Sequence, residues 1–173
     1  MQKFERADFE VKEYVESENY GKFVLSPLER GFGTTIGNAL RRVLLSSLPG
    51  AAVYSIKVDG VYHEFTTIPG VREDVSMIIL QLKQLTMKIE DDEIYTLQIS
   101  AKGPCTVTAG DIICPAQVEV LNKDLEIAHL EAGATLEMEL HAKNGRGYVG
   151  SDVNKQLNQG SSQGIGTVFT DSI

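Results

Sequence analysis

Apolar and polar residues alternate with period two from Asp8 to Val15 (DFEVKEYV), which places Phe9, Val11, Glu13 and Val15 on one side of an extended segment. The turn-prone SENYG separates this run from a second apolar set, Phe23, Val24 and Leu25, and together they predict an antiparallel strand pair. A glycine-rich bend, RGFGTTIG, follows, and the period then lengthens to that of a helix. The helix is predicted over about 34–48, with Thr34 or Thr35 as a hydroxyl N-cap and Pro49-Gly50 as its stop. At about 100° per residue, Ile36, Leu40, Val43 and Leu44 form one stripe. Leu45 falls on the opposite side and Leu48 between the two. A helix apolar on two sides is covered on two sides. One face is expected on its own sheet, the other against a further chain or under a loop of the same domain.

Beyond this helix, YSIKV and VYHEF flank Asp59-Gly60, the turn pair of a tight hairpin. A second amphipathic helix is predicted over about 72–85, with Val75, Ile78, Ile79, Leu82 and Leu85 at helical spacing. Glu73 and Asp74 suit the positive end of its dipole, and Lys83 the negative end. Short strands then recur: TMKIE, IYTLQIS, CTVTA, QVEVL, EIAHL and the longer ATLEMELHAK. GDIICPAQ reads as a loop crossing, and Asn144 to Gly147 closes the last long strand. Residues 150–164 are small and polar and read as a mobile loop or linker, after which the apolar run IGTVF resumes.

Composition narrows the function. Sixteen Lys and Arg stand against 24 Asp and Glu, for a net charge of −8. Such a chain makes a poor phosphate-backbone binder, because that affinity comes from cations displacing counterions. The sequence shows no membrane-length apolar run and no signal-peptide segment, so a cytoplasmic location is the default. Cys105 and Cys114 read as two buried or half-buried thiols in a reducing compartment. His63, His129 and His141 read as strand-surface residues without metal-ligand spacing. The acid clusters Glu90-Asp91-Asp92-Glu93 and Glu137/Glu139 read as a solvated turn and a solvated strand face. No catalytic constellation, metal set or cofactor motif assembles. Gly31 to Gly37 has the spacing GxGxxxG, which departs from phosphate-loop patterns and favours a tight turn with close helix packing. Arg41-Arg42 projects two cations to opposite flanks of the first helix, suited to planar interface contacts or to plain solvation.

The block LERGFGTTIGNALRRVLLSSLPGAAV (Leu28–Val53) closely resembles the signature of the N-terminal domain of the bacterial RNA polymerase α-subunit family. The likeness continues through VDGVYHEF, GVREDV, ILQLKQL and NGRGYV, in order, over essentially the whole chain. It implies an α+β fold in two subdomains. One is a dimerisation subdomain, a long helix on an antiparallel sheet, using about residues 1–50 and a later segment. The other is an inserted strand-rich subdomain over about 51–170. It implies an assembly platform that dimerises and docks the β and β′ subunits, with the catalytic metal and its carboxylates in β′. Arg42 matches the family's β-docking arginine and Lys83 a further β-facing position. Ile36, Leu40, Leu44, Leu45 and Leu48 would then form the dimer or partner face. Relatives continue into a further strand, a long helix and a DNA-binding domain, so the resemblance implies a C-terminally truncated chain with no direct DNA contact. Two other readings stay open: an interaction module that does not dimerise, and a phosphate or nucleotide binder using Gly31–Gly37.

Overall fold

Residues 6–18, 20–157 and 167–171 are described by the computed structural model. Two compact units divide the chain, Met1–Leu45 and Ser46–Ile173. In the first, β1 (Asp8–Val15) and β2 (Tyr20–Ser26) form the expected antiparallel pair across a 3-10 turn at Glu16–Glu18. Phe9 lies opposite Leu25 and Val11 opposite Phe23, and the rings of Phe9 and Phe23 stack 5.5 Å apart. The register shifts between Val11 and Glu13. An extra residue in one strand interrupts the alternation, so the single face expected from Phe9 to Val15 is broken there.

Helix α1 (Phe32–Ser46) begins before Thr34 because the Phe32 N–H donates to the Glu29 carbonyl at 3.1 Å. The two threonines therefore lie inside the first turn and not at its cap. Gly31 turns the chain at φ +92, a conformation that favours glycine. Nothing lies within 4 Å of where a Cβ would sit at Gly33 or Gly37, so the close packing expected of them is absent among the described residues. No residue of α1 is buried. Ile36 is half-buried, while Leu40, Val43, Leu44 and Leu45 are exposed, as is Leu48 beyond the helix. The stripe expected on the hairpin sheet is left uncovered by the described residues.

The second unit runs β3 (Pro49–Val58), α2 (Val75–Leu82), β4 (Met87–Ile89), β5 (Tyr95–Lys102), β6 (Cys105–Thr108), β7 (Val118–Val120), β8 (Glu126–Leu130), β9 (Thr135–Arg146), α3 (Ser151–Leu157) and β10 (Thr167–Phe169). Its main sheet has the order β10-β3-β9-β5, antiparallel throughout. Two small ribbons, β4-β7 and β6-β8, stand beside it. Pro49 and Gly50, expected only to stop the helix, already belong to β3 and pair with Arg146 and Gly145.

Asp59-Gly60 does turn the chain, with Gly60 at φ +79 and the Val61 N–H bonded to the Val58 carbonyl at 3.1 Å. VYHEF does not return as a strand, contrary to the hairpin expected from its sequence. Both edges of β3 are occupied by β9 and β10, so a local partner has no edge to pair with. Val61 buries its side chain in the core instead.

Helix α2 is shorter than the expected 72–85 span. Asp74 caps it, accepting from the Met77 N–H at 2.7 Å, and Arg72 and Glu73 are diverted to β8. Val75, Ile78, Ile79 and Leu82 turn inward, and Met77 and Leu80 outward. Residues 151–157, expected in a loop, form α3. Its buried Asn154 donates to the Thr170 carbonyl at 2.9 Å and thereby ties the helix to the end of β10. The rest of the expected loop, 158–164, lies outside the described residues, as do the first two positions of the apolar run that follows it. One core runs through this unit, built on Ile56, Ile78, Leu97, Ile99, Ile127, Leu136 and Leu140, all essentially sealed from solvent.

Candidate functional site

Two surfaces carry the residues singled out by sequence. The first is α1, where Arg42 and the leucines at 40, 44 and 45 ride on a helix with no buried position. Fully covering a leucine adds on the order of 1.5–3 kcal/mol, so a row of half-exposed ones is a large unspent driving force for association. Covered in a complex, the row would serve as an interface core, with Arg42 beside it as a bidentate donor.

The second surface gathers around Lys83, the C-cap of α2. Its ammonium does more than complement the helix dipole, because Nζ is hydrogen-bonded and ion-paired with Oδ1 of Asp171, just beyond β10. Both side chains are only 29% exposed. Lys83 holds the Asp171 carboxyl below the usual carboxylate range, and a hydrogen bond from Tyr148 acts in the same direction. Asp171 and Tyr148 were not expected from sequence. They lie 88 and 65 positions from Lys83, and no motif connects them. A cleft of about 440 Å³ opens here, its walls including Phe65, Leu80 and Phe169.

His63, His141 and Cys105 depart from their expected places, His63 lying exposed between β3 and α2 and on no strand. His141 is buried, not on a strand surface, because it stands opposite Ser55 in the β3–β9 pair and its Nδ1 lies 3.0 Å from Ser55 Oγ. Burial pushes its pKa down and keeps the ring neutral. Cys105 is exposed at the start of β6, contrary to the buried or half-buried reading, whereas Cys114 is half-buried and its thiol is pushed up by desolvation. Glu137 and Glu139 lie along β9, the first accepting from Ser100 Oγ at 2.7 Å and the second 3.8 Å from Lys57 Nζ. In the acidic turn, Tyr95 donates to Asp91 at 2.6 Å, which pushes the phenol up to about 12.

His129 forms a clasp with Glu73. The carboxylate accepts from the His129 backbone N–H and meets ring Nδ1, each at 2.7 Å. Desolvation raises the Glu73 pKa, but the His129 hydrogen bonds outweigh it, and the group sits below its ordinary value. Its stabilising contribution is thus complete above the ordinary carboxylate range and is lost as pH falls through the depressed folded value. Glu73→Gln is expected to cost about 1.5–3 kcal/mol at pH 7, as for a hydrogen bond to a charged group. Thermal unfolding followed from pH 7 to pH 3 should show the gap to wild type closing in acid. A gap independent of pH would mean that the carboxylate charge plays no part.

Among the described residues, no group of three or more His, Cys, Asp and Glu could hold a metal ion. No helix there is long and apolar enough to cross a membrane. Fold and surfaces define an α+β protein of two units whose candidate residues line exposed faces and a shallow cleft. The chain belongs to the bacterial RNA polymerase α-subunit family, and its residues 56–173 match the RNA polymerase Rpb3/RpoA insert domain. It is 53% identical over 173 residues to the DNA-directed RNA polymerase subunit alpha of Alkaliphilus metalliredigens, covering 100% of this chain and 54% of that one. The subunit alpha of Oenococcus oeni is 57% identical over 158 residues, 91% of this chain and 49% of the relative. That of Carboxydothermus hydrogenoformans is 51% identical over 173 residues, 100% and 53% respectively. The chain thus spans about half the length of the curated relatives it matches.

Proposed function

We propose that this chain acts as a non-catalytic assembly platform within a cytoplasmic DNA-directed RNA polymerase. It dimerises through the α1 region and docks the β and β′ subunits, while nucleotidyl transfer takes place on other chains. The observation that carries the reading is the helix α1, whose apolar residues are uncovered among the described residues of a chain in this family. Arg42 is the β-docking donor, and Ile36, Leu40, Leu44, Leu45 and Leu48 form the face that a partner covers.

The test is co-purification with a cognate β subunit, wild type beside Arg42→Ala. Truncating one member of a desolvated charged contact costs about 2–5 kcal/mol, a loss of about 30-fold or more in affinity. The substitution should leave the unfolding midpoint nearly unchanged, because the Arg42 side chain lies on an exposed helix surface. Failure of the folded wild type to capture β would end this reading.

A further inference from the structure

We propose that Asn144 is a deamidation site, held inactive by the pairing of β3 with β9 and released when the end of that pairing frays. Of the six asparagines in the chain, only this one is followed by glycine. Asparagine is among the chemically labile side chains, and a following glycine has no Cβ to hinder attack by its own backbone nitrogen. Gly145 is exposed, and nothing lies within 4 Å of where a Cβ would sit on it, so no neighbouring group obstructs the reaction. The Gly145 nitrogen attacks Cγ of Asn144. The N–Cγ bond forms, the Cγ–Nδ2 bond breaks, and Nδ2 leaves as ammonia with the proton of the Gly145 N–H. Water then opens the cyclic imide at either carbonyl, returning a proton to the nitrogen, and leaves aspartate or isoaspartate at position 144. One water enters and one ammonia departs, with no oxidant or further reactant.

The folded chain opposes ring closure twice. Asn144 and Gly145 lie opposite Ala51 and Gly50 in the β3–β9 pair. Extended backbone turns the following nitrogen well away from the side chain that it must attack. The leaving amide is held too, because Nδ2 donates to the Ile89 carbonyl at 3.2 Å and to the Asp91 carbonyl at 2.6 Å, which uses both of its hydrogens. Release comes from position, since the ladder ends one pair further on, at Pro49 and Arg146, and strand ends open locally most readily. Conversion then has a structural consequence. Ile89 ends β4 and Asp91 lies in the turn before β5, so Asn144 fastens that turn to β9. The Asp91 carboxylate organises the same turn, accepting from the Glu93 N–H at 3.1 Å and from Tyr95 at 2.6 Å. An ionised carboxylate at position 144 accepts and cannot donate. It would face two carbonyl oxygens and add its charge beside Glu90, Asp91, Asp92 and Glu93. Both bonds are lost and the acidic turn detaches, while β5 stays paired with β9 along its length.

This inference stands apart from the platform reading, and its test needs no partner subunit. The purified chain is aged in mildly alkaline buffer, folded or in concentrated urea, beside Gly145→Ala and Asn144→Asp. Peptide mapping follows asparagine, aspartate and isoaspartate at position 144, and amide hydrogen exchange follows residues 90–93. Wild type should convert at least about 10-fold faster in urea than when folded, because only the opened strand reacts. Gly145→Ala should slow conversion in urea several-fold. Aged wild type and Asn144→Asp should both exchange about 10-fold faster over residues 90–93, with protection in the middle of β5 unchanged. Equal conversion rates in the folded and unfolded chain overturn the proposal, and so does an absence of conversion in urea. Exchange over residues 90–93 that matches wild type in the converted protein overturns it as well. Should Asn144→Asp fail to fold, aged wild type decides, because it folded before it was converted.

Discussion

Leu45→Glu is expected to leave the isolated chain within about 1 kcal/mol of wild-type stability and to weaken capture by a partner subunit at least about 100-fold. The two effects separate because of where the side chain stands. Leu45 is 62% exposed, so a carboxylate placed there stays in water. Its position near the C-terminal end of α1 costs a further 0.3–1 kcal/mol at most, by repulsion with the helix dipole. In a complex that covers this side of α1, the same carboxylate would be stripped of water with no cation designed to meet it. That penalty amounts to several kcal/mol. Leu45→Glu should therefore be more damaging than Arg42→Ala, because it introduces a repulsive element as well as removing an attractive one. Thermal unfolding of the free chain and titration of capture read the two effects independently. Loss of folding in the free chain would mean that this side of α1 is covered within the chain itself.

Gly103→Ala should produce the largest loss of stability among small substitutions in the second unit, about 3 kcal/mol or more. A Cβ at Gly103 would stand 2.1 Å from the Glu131 carbonyl oxygen and 3.0 Å from Leu130 Cβ. Relief requires moving backbone, and the backbone there is tied down. The Gly103 N–H donates to the Ala134 carbonyl at 2.8 Å, the Ala134 N–H to Glu131 at 3.1 Å, and the Glu131 N–H to Gly70 at 2.8 Å. Gly70, at φ +75, closes the other side of the same turn, where a Cβ would sit 2.6 Å from that of Ala134. Two glycines from separate parts of the chain thus lean on one four-residue turn. For a unit of this size the loss corresponds to a fall of roughly 10 °C or more in unfolding midpoint. A Gly103→Ala protein that melts within 2–3 °C of wild type would show that the turn yields.

Local patterns and distant pairings were unequally legible in the sequence. The β1-β2 pair, the amphipathic character of α2 and the short strands β4 to β9 follow from periodicity and turn residues, all of which act over a few positions. The fate of VYHEF does not, because it was decided by strands that pair with β3 across 80 or more positions and fill both its edges. α3 was hidden for a related reason. Its residues are small and polar, and a buried Asn154 bonded to Thr170 anchors it where an apolar stripe would normally be sought. At the candidate site, Arg42 and Lys83 came through resemblance and the apolar face of α1 through helical spacing. Asp171, Tyr148 and the Glu73–His129 clasp left no trace, since a hydrogen bond across 56 positions or an ion pair across 88 has no period. His141 was misplaced because an alternating strand gives no sign that its polar side is also covered.

The central place of β3 also sets a timetable for biosynthesis. Lys57 finds its partner Thr167 only 110 positions later in the chain. At about 5–20 residues per second, translation takes roughly 5–20 s to span that interval. Throughout it the nascent strand has at least one edge of unpaired N–H and C=O groups, next to a segment rich in Val, Ile and Ala. Local elements such as the β1-β2 hairpin close on the ribosome within microseconds of emerging, whereas the main sheet must wait for the end of its own sequence. Newly made chains in this interval are therefore the form most exposed to aggregation and to chaperone capture.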